Sequence, residues 1–284
     1  MTVKSFIGFG FGYVAHALAA RLLQSSPASS PDWSVTGTHR NLSVANNAEA
    51  FVQIEAFPGS WTPRGDETAW LISIPPDDEG CPVFRAFADK ADNVSWIGYL
   101  SSTGVYGDLG GGWAFEDIPT NAQSREAKRR VIAENQWRDK GAHLFRLPGI
   151  YGPGRSAFDR LRSGRARRII KPGQVFSRAH VDDIADVLVR SIARPNPGRI
   201  YNIADDKPAP AQDVISYAAH LIGMDPPPEI AFEDANLPDA AQRFYAECKR
   251  LPNSRIKAEL GWRPAFSDYK SGLVSILEAE KLMD

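Results

Sequence analysis

Three small residues near the start of the chain carry the plainest chemical signal. Gly10, Gly12 and Ala15 stand in the spacing G-x-G-x-x-A within Gly8-Phe9-Gly10-Phe11-Gly12-Tyr13-Val14-Ala15, directly after the apolar pair Phe6-Ile7. Strand, glycine turn and helix in that order form the fingerprint of a turn that holds a dinucleotide pyrophosphate. Gly10 allows the tight turn, and Gly12 lets a phosphate approach the backbone without meeting a Cβ. Ala15 is small enough for the helix to pack on the strand. The phosphate then rests on the unpaired N–H groups at the positive end of the helix, among Phe11, Tyr13 and Val14. The competing reading is a glycine turn that packs and binds nothing.

A second position bears on which dinucleotide. Trp33-Ser34-Val35-Thr36-Gly37-Thr38 reads as the next strand, ending at His39-Arg40-Asn41. An acidic residue there would hold a ribose 2′-OH, whereas an Arg accommodates a 2′-phosphate. No Asp or Glu occurs between Val35 and Ala48, and Arg40 stands where the phosphate would lie. A guanidinium grips a phosphate in bidentate fashion. The expectation is NADP rather than NAD, against the alternative of a solvated surface Arg. Ser73 and Ile74 are expected near the adenosine or pyrophosphate.

These residues need a frame, and the alternation of apolar runs supplies it. Phe51–Ile54, Ala69–Ile74, Trp96–Ser102 and His143–Leu147 read as further strands, the second stopped by Pro75-Pro76. Ser124–Lys140 reads as a charged amphipathic helix with Val131, Ile132 and Trp137 on its apolar side. Near-continuous apolar strands separated by helices predict an α/β, doubly wound parallel sheet covered on both faces. Its ligand crevice lies beyond the C-terminal ends of the strands. After Pro148, Gly, Pro and Arg become frequent up to Gly173, and a helix resumes over Val181–Ile192. We expect residues 1–150 to form a Rossmann domain to which 176–203 return. Residues 151–175 and 204–284 then make a smaller, discontinuous α+β cap.

Composition narrows the setting. Lys and Arg number 33 against 34 Asp and Glu, so no global field attracts nucleic acid. Cys81 and Cys248 lie far apart with no C-x-x-C spacing, which fits a reducing cytoplasm better than a disulfide framework. The first strand follows Met1 too closely for a signal peptide, and no run approaches membrane-spanning length. The five His are scattered without ligand spacing, so no metal is expected.

Several segments, in order, resemble the extended short-chain dehydrogenases/reductases, which include nucleotide-sugar epimerases and dehydratases. They are Ser101-Ser102-Thr103-Gly104-Val105-Tyr106-Gly107, Arg146–Arg155, His180–Ala185, Tyr201–Ala204 and Leu260-Gly261-Trp262-Arg263-Pro264. The G-x-G-x-x-A spacing is closer to the atypical, YeeZ-like branch. The resemblance implies an NAD(P)-binding fold, a homodimer through helices of the sheet domain, and oxidoreductase or epimerase chemistry. It also implies a catalytic Tyr-x-x-x-Lys, in which Lys and cofactor lower the tyrosine's pKa. The matching helix here has Glu126 and Arg130 at those two positions, and no Tyr between Gly107 and Tyr151. Tyr245-Ala246-Glu247-Cys248-Lys249 has the spacing but lies in the C-terminal part, and we read it as coincidence.

Three functions compete for this pattern. One is an enzyme with rearranged acid–base chemistry, in which Tyr106 exchanges the proton while Ser102 and Thr103 hold the substrate oxygen. The alternative for Tyr106 is packing at the strand end. Arg130 would contact the nicotinamide ribose, but a guanidinium cannot relay a proton. The second function is an inactive NADP(H)-binding sensor or interaction protein. The third is a redox-neutral epimerase or dehydratase.

On the substrate side, Arg155, Arg160, Arg162, Arg165, Arg167, Arg168 and Lys171 crowd one stretch. Facing the crevice they would hold a phosphate- or carboxylate-bearing small molecule; a solvated basic loop is the alternative. Arg178 and His180 precede the Val181 helix and are candidates for the substrate pocket. A hydrogen-bonded His at the helix start is the alternative there. Trp113 and Phe115, after Gly110-Gly111-Gly112, could close over the crevice as a lid.

Overall fold

The computed structural model describes residues 3–24, 32–40 and 52–282. The Ser/Pro-rich connection at 25–31, the stretch after Arg40 and the Phe51 start of the third strand lie outside the described residues. Strand β1 (Lys4–Phe9) leads through the glycine turn into helix α1 (Tyr13–Gln24), followed by β2 (Trp33–His39), β3 (Val52–Ala56) and β4 (Ala69–Ile72). Helix α2 (Pro82–Phe87), β5 (Trp96–Ser102), α3 (Arg125–Arg138) and β6 (His143–Leu147) come next. The chain continues through β7 (Gly149–Tyr151), α4 (Ala157–Arg162), β8 (Arg168–Ile170), β9 (Arg178–His180), α5 (Val181–Ala193) and β10 (Ile200–Asn202). It ends with α6 (Ala211–Leu221), β11 (Glu229–Ala231), α7 (Asp239–Ala246), α8 (Ser254–Glu259) and α9 (Tyr269–Lys281).

Seven strands form one sheet in the order β10-β6-β5-β4-β1-β2-β3, and every neighbouring pair is parallel. The central strands are apolar because both faces are covered: all four residues of β4 and all of β5 except Ser102 are buried. On one face Phe6, Leu18, Trp96, Phe145, Ile184 and Trp262 share a core. On the other, Phe9, Trp70, Phe87, Tyr99 and Trp137 do the same. Helix α1 buries Val14, Ala15, Leu18, Ala19 and Leu22 and packs beside α5. The strand order reverses at β1, with β2 on one side and β4 on the other, which is where a doubly wound sheet opens its crevice.

Helix α3 differs from the expected pattern. Its buried residues are Ala127, Ala133, Glu134 and Trp137, whereas Ile132 is 41% exposed. The inward position that periodicity gives to an apolar side chain is taken by Glu134, which pairs in the interior with Arg146. The C-terminal part forms its own cores. Tyr151, Phe158, Val214, Ile215, Leu273 and Ile276 join α4, α6 and α9, while Ile169, Ala235 and Tyr245 gather around the β8–β11 pair.

Candidate functional site

The glycine turn is fixed from three sides. Gly10 has a φ of +80°, and a Cβ there would come within 2.9 Å of Ile74 Cγ1 and 3.0 Å of Ser73 Oγ. The Ser73 hydroxyl lies against the Gly10 carbonyl and 3.2 Å from that of Phe9. Thr38 of β2 anchors the other side, its Oγ1 accepting from Gly10 N at 3.0 Å and its carbonyl from Phe11 N at 2.8 Å. Phe11 is buried over Gly37, where any Cβ would sit 2.5 Å from the ring. Thr38 and Gly37 were not singled out in the sequence, because their partners lie 26 or more residues away.

The turn fits a dinucleotide. A Cβ on Gly12 would meet nothing nearer than the Gly10 carbonyl at 3.9 Å, so that side is open to a ligand. The first turn of α1 carries no acidic residue to repel a phosphate. Tyr13 donates its hydroxyl to the Pro153 carbonyl at 2.9 Å, and the Arg155 guanidinium sits 5.8 Å from its ring centre. Burial pushes the Tyr13 hydroxyl up to about 12. Arg155 therefore stands at the glycine turn. Arg40 is exposed at the end of β2.

A cavity of about 350 Å³ opens at the C-terminal ends of β5 and β6. Ser102 and Thr103 line it from β5 and the short 3-10 turn that follows, and Glu126 and Arg130 line it from α3. The opposite wall brings Arg243, Phe244, Glu247 and Lys249 from α7 and the segment after it. The Ser102 hydroxyl accepts from Gly104 N at 3.2 Å, and Arg130 Nη1 donates to the Leu100 carbonyl at 2.7 Å. Glu126 faces Arg243 at 3.7 Å. Its own backbone N–H, with Arg243 next, holds this carboxyl below its usual range.

Other candidates lie elsewhere. Tyr106 is fully buried and outside the cavity lining. Its hydroxyl donates to Asn202 Oδ1 at 2.7 Å, and Arg146 lies 4.6 Å from its ring centre. Burial pushes that hydroxyl up to about 12. His180 is buried between Tyr151 and Phe266, and its Nδ1 accepts from Asp182 N to cap α5. Arg178 Nη1 donates to the Phe176 and Ala209 carbonyls at 2.9 and 2.8 Å. Four members of the basic run are held locally. Arg162 pairs with Glu280, Arg168 with Glu229, and Arg167 and Lys171 hold the Ala235 and Tyr245 carbonyls. Trp113 and Phe115 are half exposed, and Trp113 bridges to Arg250 rather than lining the cavity. Tyr245 packs against Phe176 and Phe232 outside the cavity, but Lys249 reaches it. The two residues of that spacing are thus split, with Lys249 at the cavity and Tyr245 outside it.

Among the described residues, no group of His, Cys, Asp and Glu could hold a metal ion, and no helix is long and apolar enough to cross a membrane.

No family model matches the chain. A stretch of 152 residues is 27% identical to a 3-diazoavenalumate denitrifying reductase from Streptomyces; it is 51% of this chain and 49% of that protein, about half its length. A functionally unknown conserved protein from Silicibacter pomeroyi is 43% identical, with a TM-score of 0.90 over 97% of this chain and 99% of that one. Two more distant structures share the architecture. UDP-glucuronic acid 4-epimerase from Bacillus cereus, in complex with UDP-glucuronic acid and NAD, has a TM-score of 0.75 at 15% identity, over 99% and 100% of the two chains. The human epimerase family protein SDR39U1, with NADPH, has 0.73 at 14%, over 97% and 99%.

Proposed function

Because this chain has the fold of the NAD-dependent epimerase/dehydratase proteins among the short-chain dehydrogenases/reductases, we propose that it is an NADP(H)-dependent oxidoreductase acting on a small carbonyl or alcohol substrate. The observation that carries this reading is the alignment of turn and cavity on one sheet edge. The turn lies at the end of β1, and the cavity begins at the end of β5, two strands away in the order β1-β4-β5. Strand spacing makes that separation about 10 Å, a span that an extended dinucleotide crosses. Gly10, Gly12, Ala15 and the Phe11–Val14 backbone would hold the pyrophosphate, with Ser73 and Ile74 beneath it. Arg40 would meet the 2′-phosphate and Arg130 the nicotinamide end. The bound nicotinamide supplies or accepts the hydride. Ser102 and Thr103 orient the substrate oxygen in the cavity. Arg243 and Arg130 favour a substrate that also bears a carboxylate or phosphate.

Paired titrations of NADPH and NADH, followed by tryptophan fluorescence, test the reading. NADPH is expected to bind at least tenfold more tightly than NADH, and Arg40→Ala to remove that preference while sparing NADH. Binding of neither would overturn it. A second reading, a binding protein without turnover, is favoured by Glu126 and Arg130 at the usual Tyr and Lys positions. Tight NADPH binding with no oxidation across a panel of aldehydes, ketones and nucleotide sugars would select it.

A further inference from the structure

A carbonyl reduced in this cavity needs a group that steadies the developing negative oxygen and gives it a proton. The tyrosine that does so in the resembled family is missing from α3, so the lining itself must supply a replacement. Ser102 and Thr103 carry hydroxyls that orient but do not ionise near neutrality. Arg130 and Arg243 keep their protons. Glu126 is ionised, largely exposed and turned toward Arg243, so it accepts hydrogen bonds only. Ser124 caps α3 by accepting from Ala127 N, and the Ser177 hydroxyl, no more acidic than those of Ser102 and Thr103, accepts from Leu251 N. Tyr106 and Tyr245 lie outside the lining.

Lys249 remains. Its side chain is only 10% exposed. The ammonium donates to the Gly107 carbonyl at 2.6 Å, which ties it to the loop just after Thr103–Tyr106. It also donates to the Glu247 carboxylate. An ammonium has three N–H donors, so one is left for the cavity that Lys249 lines with Ser102 and Thr103. Glu247 lines the same cavity, pairs with the ammonium and, at 20% exposed, reaches solvent more than the lysine does.

We infer that Lys249, backed by Glu247, meets the substrate oxygen from the C-terminal wall and takes the part of the absent tyrosine. This rests on the oxidoreductase reading. The new C–H bond would take its hydride and electron pair from a reduced dinucleotide. The carbonyl π pair moves onto oxygen, which takes a proton from Lys249 Nζ. Lys249 recovers a proton from water by way of the Glu247 carboxylate.

4-Nitrophenol tests this without knowledge of the substrate, because its phenolate mimics the developing oxyanion and absorbs visibly. The full chain is saturated with NADP⁺ and the probe is titrated against pH. Wild type is expected to bind phenolate at least about tenfold more tightly than phenol, a shift of about one pH unit in the probe. Lys249→Met should abolish that shift with NADPH affinity unchanged, and Lys249→Arg should retain it. Lys249→Gln keeps a donor for the Gly107 carbonyl but no charge, and serves if the methionine variant misfolds; it too should lose the shift. An undiminished shift in the uncharged variants would assign the effect to Arg130 or Arg243 and overturn the inference. NADP⁺ binding with no probe shift in wild type would also overturn it, while leaving the parent reading intact. Failure of wild type to bind either NADPH or NADP⁺ is the distinct outcome that removes the parent reading and this inference together.

Discussion

Glu134 and Arg146 form a two-pronged ion pair in the interior. Arg146 Nε donates to Oε1 at 3.0 Å and Nη2 to Oε2 at 2.7 Å, with the side chains 4% and 3% exposed. The pair joins α3 to β6, and Arg146 goes on to lie over Tyr106. Removing one partner leaves a buried charge uncompensated. Glu134→Ala should therefore cost about 3–5 kcal/mol of stability, measured by urea denaturation. A loss well under 1 kcal/mol would mean that the guanidinium finds water or another acceptor.

The two glycines of the turn should respond in opposite ways. Gly10 is left-handed and close-packed against Ser73 and Ile74, so Gly10→Ala should lower stability by about 1–3 kcal/mol. At Gly12 a side chain enters open space. Gly12→Val should leave the melting temperature nearly unchanged and weaken NADPH binding more than tenfold. Normal affinity in that variant would place the pyrophosphate elsewhere.

The succession of sheet strands along the chain was legible because parallel strands covered on both faces read as apolar runs, and the glycine turn because its left-handed, close-packed Gly10 restricts residue type. What stayed hidden depends on pairings across long stretches of chain. The polar inward face of α3 follows from Arg146, 12 residues beyond Glu134. Lys249 reaches the cavity by way of the Gly107 carbonyl, 142 residues earlier. Four of the seven residues in the basic run, Arg162, Arg167, Arg168 and Lys171, engage Glu280, Glu229 and backbone carbonyls. His180 and Tyr106 have residue types suited to catalysis, yet their neighbours Asp182 and Asn202 engage them in holding the fold.

Tyr106 gives a direct test of that last point. Its hydroxyl is donated to Asn202 Oδ1, whose amide also donates to the Ala114 carbonyl at 2.8 Å. Tyr106→Phe should remove about 1 kcal/mol of stability and leave NADPH affinity, and any carbonyl reduction found, within a factor of two. A hundredfold fall in turnover at unchanged affinity would return Tyr106 to the chemistry.

Asp205 should make stability depend on pH in the sense opposite to an ordinary surface carboxylate. It is 4% exposed, with Oδ1 accepting from Lys207 N at 3.1 Å and Oδ2 buried without a hydrogen-bond partner. Burial pushes its carboxyl up to about 8, with Arg178 and the Lys207 N–H pulling the other way. Folded, the group keeps its proton through neutrality; unfolded, it loses it near pH 4. Between those limits the native state binds more protons, so its contribution to stability is full below about pH 4 and declines as pH rises toward 8. The decline is at most about 1.4 kcal/mol per pH unit. Asp205→Asn keeps a neutral side chain of the same shape at every pH. Thermal melts from pH 5 to 9 should show the variant losing less stability with rising pH than wild type, and melting higher at pH 8. Parallel profiles would show that Asp205 is ionised in the folded protein, with its charge balanced by Arg178.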